Sequence, residues 1–62
     1  MSEVQITVTI NDAQALALAQ FVKRVCWTEV RQNAVGDDEA DLMIDAMNEV
    51  SKALAEAGYA PR

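Results

Sequence analysis

Histidine is absent from this 62-residue chain, cysteine occurs once, glycine twice and proline once. Each shortage removes a class of structure or chemistry. The lone Cys26 cannot close an internal disulfide, and without histidine no credible zinc-ligand set can be assembled, so two of the usual staples of very small domains are excluded. Nucleophilic catalysis at Cys26 would lack its imidazole base, and the residue is expected to be a small buried hydrophobe at the margin of an apolar helix face. Neither Gly36 nor Gly58 stands in a strand-to-helix phosphate cradle, so no nucleotide site and no cofactor are implied. Apolar runs fall far short of the roughly 20 residues that span a bilayer, and MSEVQITV lacks a basic flank followed by an apolar run. The expectation is a cytoplasmic protein with no membrane partner. Basic residues are also scarce, five against ten acidic ones, and the net charge of −5 repels phosphate backbones and suits basic protein surfaces.

Hydrophobic residues make up 52% of the chain and charged residues 24%, a globular composition. Residues 1–62 form one domain at most, and at this size one hydrophobic core is only marginally sufficient. With disulfide and metal excluded, association with a partner chain is the staple that remains.

From residue 4 to residue 10 the chain alternates strictly, Val4, Ile6, Val8 and Ile10 against Gln5, Thr7 and Thr9, which predicts a half-buried strand. Asn11 with Gln14 three residues on has capping-box spacing, so a helix is expected from about 12 to 27. Its predicted core stripe is Ala15, Leu18, Phe21, Val22 and Val25. Glu29 would fall on that apolar face if the helix continued. A break near Trp27 is therefore predicted, with Thr28 capping a short helical turn over 28–34. Gly36 releases the chain, and Asp37, Asp38, Glu39 and Asp41 suit the start of a last helix over about 38–57. Met43, Met47, Val50, Leu54 and Ala57 form its predicted core stripe, while Gly58 in a left-handed conformation, Tyr59 and Pro61 end it. The predicted fold is α+β and mostly helical: one N-terminal strand and two main helices (β-α-α), with a short helical turn between them.

A lone strand leaves both backbone edges unpaired, and its simplest partner is the same strand of a second copy. The expected assembly is a two-fold homodimer with paired strands, Val4, Ile6, Val8 and Ile10 forming its interface and Gln5, Thr7 and Thr9 displayed outward. Asp41 and Asp45 share a helix face and read as solvated surface, so no catalytic or metal-ligating residue is assigned and the chain is not expected to be an enzyme. Trp27, Leu42 and Ile44 are large apolar residues off the predicted core face. With Gln5, Thr7, Thr9, Asp37, Asp38 and Glu39 they are the candidate partner contacts.

The order strand, helix, helix, headed by QITVTIND, resembles the ribbon-helix-helix family of dimeric DNA-binding repressors and antitoxins. That resemblance implies Gln5, Thr7 and Thr9 as base contacts in the major groove. The outer face of the strand has no Arg or Lys, however, and Asp37, Asp38 and Glu39 stand where that family approaches phosphate, so DNA is the alternative partner and not the leading one. The segments ALAQFVKRV, DDEADLM and ALAEAGYAPR are similar to a family of small uncharacterised proteins of tailed phages and prophages. That resemblance implies the cytoplasm of a bacterial host as the setting. Its functional implication is a dimeric interaction protein that binds and inhibits a host protein, including a component of antiviral defence.

Overall fold

The computed structural model describes residues 2–59, which hold three helices: α1 (Asp12–Arg24), α2 (Trp27–Gln32) and α3 (Asp37–Glu56). Among the described residues there is no strand, no sheet and no paired-strand ribbon, which corrects the α+β, ribbon-helix-helix-like expectation. Alternation at residues 4–10 does leave the segment without helix. A strand, however, exists only as a ladder of hydrogen bonds to a neighbour, and the described residues supply none. Residues 2–10 form an exposed arm whose backbone bonds to no other described residue.

The start of α1 follows the sequence signal. Asn11 Oδ1 accepts from the Gln14 N–H at 2.8 Å and Gln14 Oε1 accepts from the Asn11 N–H at 3.0 Å, a reciprocal capping box. Lys23 and Arg24 lie in its last turn, where the helix dipole favours positive charge. The helix ends at Arg24, three residues earlier than predicted, because Val25 turns to extended backbone (φ −65°, ψ 132°). Cys26, not Thr28, is then the N-cap of α2, and its N–H donates to Glu29 Oε1 at 3.1 Å. That break also rotates Cys26 off the apolar face, so it is exposed and not the expected buried hydrophobe.

At the far end of α3 the Tyr59 N–H donates to Leu54 O at 2.8 Å and the Gly58 N–H to Ala55 O at 3.0 Å, with Gly58 at φ +96°. This pair of bonds is the Schellman stop, and the left-handed φ is what requires glycine there. Pro61, the predicted bar to further helix, lies outside the described residues.

α1 and α2 each pack on α3, and the molecule measures 33 × 28 × 15 Å. The short dimension barely exceeds one helix with its side chains, about 10–12 Å, so the helices form a single layer. Among the described residues the buried hydrophobic positions are Ala15, Ala19, Val30 and Ala40. The predicted stripes are therefore rotated: Leu18 is 37% exposed, Phe21 59% and Val50 37%, while Ala57 is also exposed and Val22, Val25, Met43, Met47 and Leu54 are half-buried. Alanine ridges let helices approach closely, and close approach pushes bulky residues beside the ridge outward.

Candidate functional site

The arm presents the largest contiguous row of uncovered apolar side chains. Val4, Ile6 and Val8 are 84%, 75% and 68% exposed, and Ile10 is less exposed where the arm meets α1. Gln5, Thr7 and Thr9 are exposed as well, so the segment has neither an inner nor an outer face in this chain. Both backbone edges are open, and both sets of side chains are free to be read by a partner.

The acidic residues at the start of α3 are placed differently. Arg31 Nε donates to Asp37 Oδ1 at 2.7 Å and Arg31 Nη1 to Ala34 O at 3.1 Å, while Glu39 Oε1 accepts from the Val35 N–H at 3.0 Å. Asn33 Nδ2 donates to Glu29 O at 2.9 Å. Asp37 and Glu39 thus brace the connector between α2 and α3, and Asp38 alone of the three makes no side-chain bond to a described residue. Their place in the first turn satisfies the helix dipole, so this cluster has a structural task before any binding task.

Of the three large apolar candidates, Trp27 and Leu42 are 46% and 66% exposed, whereas Ile44 is half-buried and turned toward the layer. Leu42 shares a shallow groove with Val35, which is 91% exposed between Ala34 and Gly36. Val35 was not among the predicted contacts. A β-branched residue in a turn flanked by small residues was the available signal.

A second groove, of about 490 Å³, runs between the three helices and is lined by Phe21, Val25, Val30, Met43, Ala46 and Met47 together with Glu29 and Asn33. The sequence reading assigned most of these residues to a closed core. Leu42, Ala46 and Val50, spaced by four beside Met43 and Met47, carried the signal: the apolar sector of α3 is wider than one contact needs.

Two titratable groups are shifted. The Cys26 N–H, and after it the Cys26 thiol, hold the Glu29 carboxyl below its ordinary range. Tyr59 donates its phenolic O–H to the Asp12 carboxylate, which, with some desolvation and the aspartate charge, raises the phenol above its ordinary range. This bond joins the end of α3 to the first residue of α1, at the base of the arm. Among the described residues no group of three or more acidic or cysteine side chains is arranged to hold a metal ion, and no described helix is long and apolar enough to cross a membrane.

No curated protein and no solved structure matches the chain. The model of a family of unknown function, DUF7706, matches residues 1–62, the whole length, and the chain belongs to that family.

Proposed function

We propose that the protein is a non-catalytic interaction protein, acting as a homodimer, whose arm over residues 2–10 adds as an extra strand to an exposed sheet edge of a protein target. In the phage setting that the sequence resemblance implies, the target is a host protein and the outcome is its inhibition. The observation that carries this reading is the arm itself. It is irregular, exposed and free of backbone hydrogen bonds to described residues, and it offers Val4, Ile6 and Val8 on alternate positions. Strand addition needs that combination: main-chain bonds supply affinity, and pockets for alternate side chains supply specificity. The net charge of −5 adds attraction to a basic target surface, which weakens as salt rises. No observation favours the DNA-binding alternative, because the ribbon that would display Gln5, Thr7 and Thr9 to base edges is not formed among the described residues.

Proline scanning of the arm tests the reading. Successive N–H groups of an extended chain point to opposite edges, so Ile6→Pro and Thr7→Pro each remove a donor from one edge without touching the helices. In affinity capture from bacterial lysate, the protein retained by the wild type should be lost with one of these variants while the helical circular dichroism is unchanged. Equal retention by both variants, or no specific protein retained by the wild type, would sink the proposal.

A further inference from the structure

We infer that the outer face of α3, where Asp38, Asp41, Asp45 and Glu49 surround Leu42, docks a lysine- or arginine-rich segment of a partner protein that carries an apolar side chain among its charges. This rests on the interaction reading above and names the chemistry that the target presents beside its sheet edge.

Charge is distributed unevenly over the molecule. Asp38, Asp41, Asp45, Glu49 and Glu56 are all exposed and recur on α3 within about 100° of one another, together with one base, Lys52, whose ammonium lies 3.2 Å from Glu49. Five acids against one base leave this face with −4 of the chain's −5. Acids elsewhere have work inside the fold: Asp12 accepts from Tyr59, Glu29 from the Cys26 N–H, Asp37 from Arg31 and Glu39 from the Val35 N–H. Asp38, Asp41 and Asp45 accept from no described side chain. Nor does the helix dipole account for the ridge, because it favours acids only in the first turn and opposes them at the far end, where Glu56 stands with no base in the last turn. Like charges one turn apart repel, so the ridge costs the isolated chain stability that an opposite charge restores.

Leu42 is the independent observation. It opens, with Val35, onto a groove rimmed by Asp37, Asp38 and Glu39, and both apolar side chains are well exposed. Apolar surface rimmed by charge is the anatomy of a contact patch, not of a merely solvated helix face. The bonds of Arg31 to Ala34 O and of Glu39 to the Val35 N–H hold this wall in place before anything binds. Charge complementarity then selects the occupant. A second copy brings the same acidic ridge, and nucleic acid or anionic lipid brings phosphate, so each is repelled. A metal ion finds no three acids converging on it among the described residues. A cationic protein segment fits both features, since its long side chains cover Leu42 with their stems while their charged heads reach the aspartates.

The test titrates the isotopically labelled full chain, at low salt, with a short lysine-rich peptide carrying leucines and with its counterpart carrying serines in their place. Amide shifts should centre on Val35 and residues 38–45, fade as salt rises, and need at least ~10-fold more of the serine peptide. Two double variants then separate the face from the total charge. Asp41→Asn with Asp45→Asn and Gln5→Lys with Gln32→Lys each make the chain less negative by the same amount, and all four positions are exposed, so the fold is kept. Only the first pair should weaken the leucine peptide, by at least ~10-fold. Ile6→Pro, which disables the arm, should leave this binding unchanged, so failure of the arm and failure of the ridge are read separately. Equal weakening by the two double variants, equal binding of the two peptides, or shifts centred on Phe21, Met43 and Met47 would overturn the inference. Shifts of the ridge that appear on raising protein concentration without peptide would assign it to a second copy, and overturn the inference as well.

Discussion

The connector between α2 and α3 and the arm before α1 are both irregular segments, yet they solve the backbone problem in opposite ways. Residues 33–36 are held by Arg31 bonded to both Asp37 and Ala34, by Glu39 on the Val35 N–H, and by helix-end bonds such as Ala34 N–H to Arg31 O at 3.1 Å. Every one of these partners lies within six residues. Residues 2–10 contain no charged side chain except Glu3 and no glycine, proline, asparagine or aspartate, and their backbone bonds to no other described residue. Short-range polar chemistry can finish a turn inside one chain, whereas an alternating β-branched segment can be finished only by another strand.

The sharpest break in this comparison is expected at Ala40, which is fully buried one turn into α3, beside the connector. Ala40→Asp places an unpaired charge where no water reaches, and a loss of about 3 kcal/mol or more is expected, enough to unfold so small a chain. A thermal melt at fixed protein concentration reads this directly. A folded Ala40→Asp protein with an unchanged midpoint would mean that the α3 contact is not the centre of the structure. Arg31→Ala should cost less, about 1 kcal/mol, because the guanidinium is partly exposed and its ion pair is screened while its bond to Ala34 O is part-buried. Arg31→Lys should recover little of that loss, since a single ammonium cannot serve Asp37 and Ala34 in the same forked geometry.

The base of the arm is tested by pH. Tyr59 is the one tyrosine, so its ionisation can be followed by ultraviolet absorbance without interference from another phenol. Its folded pKa is raised by Asp12, so the Asp12–Tyr59 bond contributes stability fully below the unfolded value of about 10 and loses it as pH rises through the folded value. Asp12→Asn should move the titration back toward the ordinary phenol range, and an unchanged midpoint would show that the contact does not persist in solution. Glu29 runs the other way. Its lowered carboxyl contributes above the ordinary range and loses that contribution as pH falls through the folded value. The smallest effect is expected at Val8. Val8 is 68% exposed, so Val8→Asp should leave the melting midpoint unchanged to within about 0.5 kcal/mol while weakening capture of the target. A large loss of helix in Val8→Asp would show that the arm belongs to the core after all.

Local rules made much of the helical layout legible. The Asn11 and Gln14 capping box placed the start of α1, the conflict of Glu29 with the apolar face signalled a break before α2, and Gly58 followed by Tyr59 placed the stop of α3. Each of these signals acts through bonds between residues no more than five apart, so the letters suffice to read them. The orientation of the helices was not legible in the same way. Periodicity turned Ala15 inward, as the structure does, but with it Leu18, Phe21 and Val50, which are exposed, while packing also turned Ala19 and Ala40 inward because alanine ridges let two helices close on each other. Alternation at residues 4–10 kept the arm out of helix, but a strand is a relation between two segments and the described residues contain only one such segment. The sequence alone therefore determined where α1 begins and where α3 stops, which depends on neighbours along the chain, while the end of α1 and the cap of α2 fell two to three residues from their predicted places. Only the tertiary structure decided which faces are covered and which remain open, because that depends on how closely separate helices can approach.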